Sequence, residues 1–316
     1  RRRIGMALAL LVLVAVAAAV GYFAAQTGMV AAPPPSDTPE TATADAKRED
    51  GRAAYARWST YSAQLRRDPD LLLYFAFEPD PRRPGVLTNQ ADATAGRYDG
   101  RFGTPGITLS QPTWTGGRFP GKNALDFYGP GKQHVVILQA DGLNLAAPCT
   151  VSIWLYNDTP LWTAHLLTKR DYPPAGGYFS NLAIAWVGVD PVHHNGQRTY
   201  YHTFEFGDVD RFRAWTGPHE SPEGLPNAPR WVNLTVTFDG AQIVYYVDGQ
   251  RTEAKPTHAG NAIAQVAGDL ILGDSTTAGS QLKNSFDGRI DEVVMLRRVW
   301  TDDEVRAFYE AGKPAQ

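Results

Sequence analysis

Cysteine occurs once in the 316 residues, so no internal disulfide braces the fold. Cys149 stands beside Thr150 and Val151 in an apolar, strand-like run, which makes it a small core residue rather than a nucleophile. Basic charge is also scarce: 30 Lys and Arg face 33 Asp and Glu, and without Arg1, Arg2 and Arg3 the balance is 27 against 33, or -6. Phosphate binding needs a concentrated basic face, so nucleic acid is excluded as a partner. There is no phosphate-cradling glycine loop and no Ser or Cys elbow motif.

Apolar length, by contrast, is abundant at the N-terminus. "IGMALALLVLVAVAAAVGYFAA", Ile4 to Ala25, is uncharged over 22 residues. As a helix it would measure about 33 Å, against a hydrocarbon core of about 30 Å. Its alanines would also suit a signal cleavage site, but the apolar region of a signal runs only about 7 to 15 residues. A single transmembrane helix within 1–30 is therefore expected. The three leading arginines should stay cytoplasmic, which puts the rest of the chain beyond the membrane. The sequence opens on Arg1 rather than methionine, and residues are expected to precede it.

Residues 31–47, rich in Pro, Ala and Thr, read as a linker with too few large apolar residues to fold. Over 48–68 the spacing of Tyr55, Trp58, Tyr61 and Leu65 predicts a short amphipathic helix, stopped at Asp68-Pro69. Its aromatic stripe would dock on its own domain, a partner or the membrane surface.

From Leu71 the chain consists of short β-prone runs separated by Gly, Pro, Asn and Asp, without a long helical period. In "WVNLTVTFDGAQIVYYVDGQ" Val232, Leu234, Val236 and Phe238 share a dry face, while Asn233, Thr235 and Thr237 take a wetter one. Asp239-Gly240 and Asp248-Gly249 then reverse the chain into a meander, with Ile243, Tyr245 and Val247 continuing the dry face. One helix closes the region: Thr301 and Glu304 form a capping box, Trp300 and Val305 a staple, and Gly312 and Pro314 a stop. The fold class is thus all-β, an antiparallel sandwich over 69–316 with a short C-terminal helix.

"LLLYFAFE", "NALDFYGPGKQHVVIL", "TVSIWLY", "LLTKRD", "LILGD" and "FDGRIDEVVMLRRVWTDDEVRAFY" resemble, in order, the laminin G-like domains of the concanavalin A-like jelly-roll class. The resemblance runs from about Leu71 to Tyr309 and implies a jelly-roll sandwich. The preceding helix, with "RWSTYSAQLRRDPDLLLYFAFE", resembles the stem of membrane-anchored bacterial proteins carrying this domain. That implies an inner-membrane anchor with the sandwich in the periplasm.

Many such domains hold calcium, which takes six to eight oxygens. Glu78, Asp126, Asp287 and Asp291 are the candidate ligands, although the usual Phe-Asp-Gly reads Phe127-Tyr128-Gly129 here. The alternative has Asp291 ordering a loop through backbone hydrogen bonds while Glu292 or a neighbour pairs with Arg289 or Arg297. Related sandwiches also cleave polysaccharides with paired carboxylates. Glu205, Asp208 and Asp210 form the nearest cluster, and Gly207-Asp208 reads as a turn. His193 and His194, with His202 and His219 near in sequence, are poor zinc co-ligands, since adjacent strand residues point opposite ways and Asn195-Gly196 signals a turn.

Trp186, Tyr200, Tyr201, Phe204, Trp215 and Trp231 could offer faces to a glycan or a partner, or fill the core. The Pro- and Gly-rich excursion within Asp190 to Arg230 reads as a contact loop or a tolerated insertion. Together these readings predict a single-pass membrane protein that is not an enzyme. It would display its sandwich for contact with proteins of a membrane complex, with carbohydrate binding as the alternative and a glycoside hydrolase as the third reading.

Overall fold

β-branched and aromatic runs broken by turn residues produce fifteen strands among the described residues, every pair antiparallel. In the computed structural model these residues are 39–103, 111–138, 140–157, 163–171, 179–189, 199–208, 230–256, 265–274 and 285–314. The strands are β1 Leu71–Phe75, β2 Val86–Leu87, β3 Gly100–Phe102, β4 Thr113–Gly116, β5 Asn123–Phe127, β6 Val135–Ile137, β7 Cys149–Asn157 and β8 Thr163–Asp171. They continue with β9 Phe179–Val189, β10 Thr199–Asp208, β11 Trp231–Phe238, β12 Gln242–Val247, β13 Gln250–Pro256, β14 Leu270–Leu272 and β15 Gly288–Leu296. Eight form one sheet, ordered β13, β12, β11, β7, β15, β5, β4, with β1 also on β15. The other sheet has seven, ordered β10, β9, β8, β14, β6, β3, β2.

The expected all-β sandwich is therefore present. Its core takes Val151, Ile153 and Leu155 from β7, Val232, Leu234, Val236 and Phe238 from β11, and Leu166, Leu182 and Leu272 from the facing sheet. Each such side chain contributes about 1.5–3 kcal/mol by leaving water. Cys149 is buried among them, as expected, and burial pushes its thiol up to about 12. The meander is also as read. Asp248 and Gly249 both adopt positive φ, at 51° and 74°, as a two-residue hairpin turn requires.

The wetter face of β11 is a correction. Asn233, Thr235 and Thr237 are only 0–2% exposed. Asn233 donates to Ser152 Oγ at 3.0 Å, and the Ser152 and Thr235 hydroxyls bond at 2.7 Å, so these polar groups are satisfied without water.

The chain divides into two compact units, Arg1–Lys47 and Arg48–Gln316. Helix α1 runs from Pro39 to Leu65 and so begins inside the stretch read as a linker. Proline is tolerated in the first turn, and the Glu, Ala and Lys that follow are good helix formers. The part from Arg48 docks on its own domain: Ala54, Trp58, Ser62 and Leu65 are buried, and Trp58 and Tyr55 meet Phe119. Gly51 permits this approach, because a Cβ there would lie 2.8 Å from Pro120 Cδ. Helix α2, Asp302–Gly312, has the predicted Thr301–Glu304 capping box and buries Val305 and Phe308. Tyr309 stacks on Trp154, so α2 covers the outside of the eight-stranded sheet.

Ile4–Ala25 lies outside the described residues, and among those described no helix is long and apolar enough to cross a membrane.

Candidate functional site

β15 carries two consecutive acids, Asp291 and Glu292, inside the run "RIDEVVML". Strict alternation would send one of them into the apolar core. The ladder with β7 instead shifts between Ile290, opposite Leu155, and Glu292, opposite Trp154, so Asp291 is the extra residue of a β-bulge. Both carboxylates then reach Arg118 from the β4–β5 loop. Arg118 Nε donates to Asp291 Oδ1 at 2.9 Å, its backbone N–H donates to Asp291 Oδ2 at 2.9 Å, and its terminal nitrogen pairs with Glu292. Gly117 makes room, since a Cβ there would stand 2.6 Å from Asp291 Oδ2.

Glu292 ties this loop to two further elements. The Trp58 indole of α1 donates to its Oε1 at 3.1 Å, and the Tyr74 hydroxyl of β1 donates to the same oxygen at 2.5 Å. Lys122 completes the seam, with Nζ 3.2 Å from Asp291 Oδ1 and 4.7 Å from the Trp58 ring centroid. Burial works against the Arg118 charge, but Asp291 and Glu292 outweigh it and hold the guanidinium above its ordinary value. Burial pulls Lys122 below its ordinary value against the attraction of Asp291, while burial and the Glu292 charge push Tyr74 well up. The arrangement anchors α1; its acids are occupied by cations.

Beyond the seam the outer face of the same sheet is not fully covered. Trp231 of β11 lies directly opposite Tyr156 of β7, Tyr156 opposite Arg289 of β15, Arg289 opposite Asp126 of β5, and Asp126 opposite Thr113 of β4. Directly opposed residues share a face, so these five form one row across five strands, about 19 Å long at the usual strand spacing. The first four are half-buried and Thr113 is exposed, whereas the adjacent row of Val232, Leu155, Ile290 and Leu125 is core. The Arg289 guanidinium sits 4.4 Å from the Tyr156 ring centroid, and Trp231 meets Tyr156 edge-on at 5.5 Å.

The four calcium candidates do not assemble as ligands. Asp291 is held by Arg118 and Lys122, Glu78 lies 3.8 Å from Lys122 Nζ, Asp287 accepts the Gly129 N–H at 3.1 Å, and Asp126 belongs to the half-buried outer row. Among the described residues no group of three His, Cys, Asp or Glu is placed to hold a metal. With Lys122 Nζ standing between Asp291 and Glu78, the residues present do not fit the ion. The alternative reading was half right: Asp291 does accept a backbone N–H, but Glu292 pairs with Arg118, while Arg289 lies over Tyr156. Arg118 and Lys122 were not singled out from sequence, although two acids in a buried strand signal that cations must lie near.

Gly207-Asp208 is also corrected. Both belong to β10, whose register against β9 shifts between Glu205 and Gly207, so the glycine marks a bulge rather than a turn. Trp186 pairs with His202, Tyr200 with Gly188, Tyr201 with Val187 and Phe204 with Ile184 at the edge of the seven-stranded sheet. Their side chains, like Asp210, Trp215, His193, His194, Asn195-Gly196 and His219, lie outside the described residues.

Two antiparallel sheets with a closing helix define a concanavalin A-like sandwich. The model for the concanavalin A-like lectin/glucanases superfamily matches residues 130–306, and the chain belongs to that family. No curated protein matches the sequence. Among solved structures, domain 4 of an extracellular GH43 arabinanase from Geobacillus stearothermophilus, in complex with arabinotriose, is similar at 16% identity and TM-score 0.50. That likeness covers 76% of this chain and 98% of the other. A Trypanosoma rangeli sialidase in complex with sialic acid is similar at 14% identity and TM-score 0.45, over 76% of this chain and 32% of its own. The binding domain of Paraclostridial Mosquitocidal Protein 1 is similar at 13% identity and TM-score 0.46, over 76% of this chain and 52% of that one. The chain thus spans about a third of the sialidase.

These identities carry the fold alone. They also overturn the expectation that the protein is not an enzyme: the fold occurs within an arabinanase, so it supplies no ground for excluding catalysis, nor does sharing it make this chain an enzyme.

Proposed function

We propose that the protein is a membrane-tethered recognition protein, held by Ile4–Ala25 in a bacterial-type inner membrane with its sandwich in the periplasm, where it contacts other proteins of a membrane complex. The row Trp231, Tyr156, Arg289, Asp126 and Thr113 carries this reading. Trp, Tyr and Arg are the residue types that dominate protein interfaces, and here they stand together on a rigid sheet, partly open to solvent. The Tyr156 face is already under a guanidinium, which leaves less ring surface for a sugar than for a protein side chain. The anchored α1 supports the tether, because its seam makes the stem part of the domain.

The test is purification of the full chain from its native membrane in mild detergent. Partner proteins should copurify with the wild type and be lost from Arg289→Ala and Trp231→Ala, each by about 30-fold in affinity if the row is the centre of the contact. A lone monomer, or a complex indifferent to both changes, overturns the reading.

Carbohydrate binding is the second reading, favoured by one observation: polar Asp126 and Thr113 continue the row from the aromatics. A glycan array with signal abolished by Trp231→Ala, in a protein that copurifies with nothing, would replace the first reading with this one.

A further inference from the structure

Lys122 has more oxygen around it than an ammonium group can use. Its Nζ lies 2.5 Å from the Ala76 carbonyl, 3.0 Å from that of Asn123 and 3.1 Å from that of Asp291. Asp291 Oδ1 follows at 3.2 Å and Glu78 Oε1 at 3.8 Å. An ammonium group has three N–H donors, whereas five oxygens from four residues, two of them carboxylate, are what a hard divalent cation collects before water completes its shell. The charges agree. Glu78, Asp291 and Glu292 contribute three negative charges, and Arg118 and Lys122 two positive ones. Without Lys122 the cluster would carry two uncompensated negative charges, the amount one divalent ion neutralises.

Two of the four residues expected to bind calcium, Glu78 and Asp291, thus do converge, but on the chain's own cation. We infer that Lys122 occupies the place of a bound divalent cation and serves as a covalently tethered substitute for it. The ammonium itself is buried: the Lys122 and Asp291 side chains are 0% exposed, Trp58 of α1 covers the ammonium, and Glu78, 29% exposed, forms the outer edge of the pocket. The seam therefore closes without metal, and α1 stays docked whatever the calcium level. Removing the ammonium while leaving the oxygens in place should turn the site back into a metal site.

The experiment uses the full chain in mild detergent as wild type, Lys122→Ala and Lys122→Met, each in EDTA and in calcium. Stability is followed by thermal unfolding, and occupancy by terbium luminescence excited through Trp58. The wild type should unfold at the same temperature in both and give no sensitised emission from this site. Lys122→Ala should be weakened or unfolded in EDTA and regain about 5–10 °C with calcium at a hundred times its Kd. It should also give terbium emission that disappears in Lys122→Ala with Trp58→Phe. Lys122→Met, neutral but filling the space, should be weakened in both conditions.

A Lys122→Ala chain that calcium neither stabilises nor refolds overturns the inference. So does a wild type weakened by EDTA, or a Lys122→Met chain rescued as fully as Lys122→Ala. None of these readouts involves the exposed row, so the result stands apart from that of the partner experiment.

Discussion

Replacing Glu292 by leucine should release α1 from the sandwich. The wild-type carboxylate receives the Trp58 indole at 3.1 Å and the Tyr74 hydroxyl at 2.5 Å, and pairs with Arg118, all in a place where its side chain is 1% exposed. Hydrogen bonds to a charged group contribute about 1.5–3 kcal/mol each. The loss is partly offset, because Tyr74 keeps Ser62 at 2.9 Å and Arg118 keeps Asp291. Trp58 loses its acceptor, and one of the charges balancing the buried guanidinium disappears. The expected cost is about 3–5 kcal/mol, the range for breaking a buried pair from one side. That is a large part of the roughly 5–15 kcal/mol that holds a domain together.

Urea denaturation of the wild type, Glu292→Leu, Trp58→Phe and the double variant would measure it. Trp58→Phe alone should cost about 1–2 kcal/mol, and the double variant should cost less than the sum, because the two changes delete the same bond. Limited proteolysis should show early cleavage at Arg57 and Arg66 in Glu292→Leu. A loss below about 1 kcal/mol, the range of an exposed pair, would refute the claim that this seam anchors the helix. The exposed Arg306–Asp303 pair is the internal control.

Two further outcomes follow from the same packing. Gly51→Ala should destabilise, although alanine in place of a helical glycine ordinarily adds about 1 kcal/mol, because the new Cβ would fall 2.8 Å from Pro120 Cδ; a gain in denaturation midpoint would mean that α1 is not seated there. Stability should also fall in alkali. Unfolded Cys149 releases its proton near 9.0, but the folded thiol holds it to about 12, so its contribution is complete below pH 9 and is lost as the pH rises towards 12. The slope is about 1.4 kcal/mol per unit, and Cys149→Ala should flatten it in denaturation curves taken between pH 8 and pH 11.

What the sequence made legible was whatever depends on near neighbours. Alternation in Val232, Leu234, Val236 and Phe238, the Asp-Gly reversals and the Thr301–Glu304 cap each involve a few adjacent residues, and each stands as read. Three features were not legible in that way: two depended on something further away, and one, the start of α1, on local propensity without an apolar pattern. The Asn233 face is dry because α2, more than fifty residues later, covers that side of the sheet. Helix α1 starts at Pro39 because ordinary helix propensity suffices there, although the stretch has no apolar stripe. The cationic partners of Asp291 and Glu292 come from a loop some 170 residues earlier, so a search limited to Arg289 and Arg297 could not find them.

The bulge at Asp291 links the buried seam to the exposed row. Suppose β15 ran without it while Glu292 stayed opposite Trp154. Asp291 would then face Leu155 in the core, Ile290 would lie opposite Tyr156 on the outside, and Arg289 would turn inwards. Burying an unpaired carboxylate costs several kcal/mol, as does burying a guanidinium, and the apolar Ile290 would be lost from the core as well. The extra residue avoids all of this at once. It lets two neighbouring acids share one cationic loop, keeps Ile290 inside, and sets Arg289 between Tyr156 and Asp126. The clamp on α1 and the row available to a partner are therefore consequences of one inserted residue, and a chain that loses the first by losing the bulge must lose the alignment of the second.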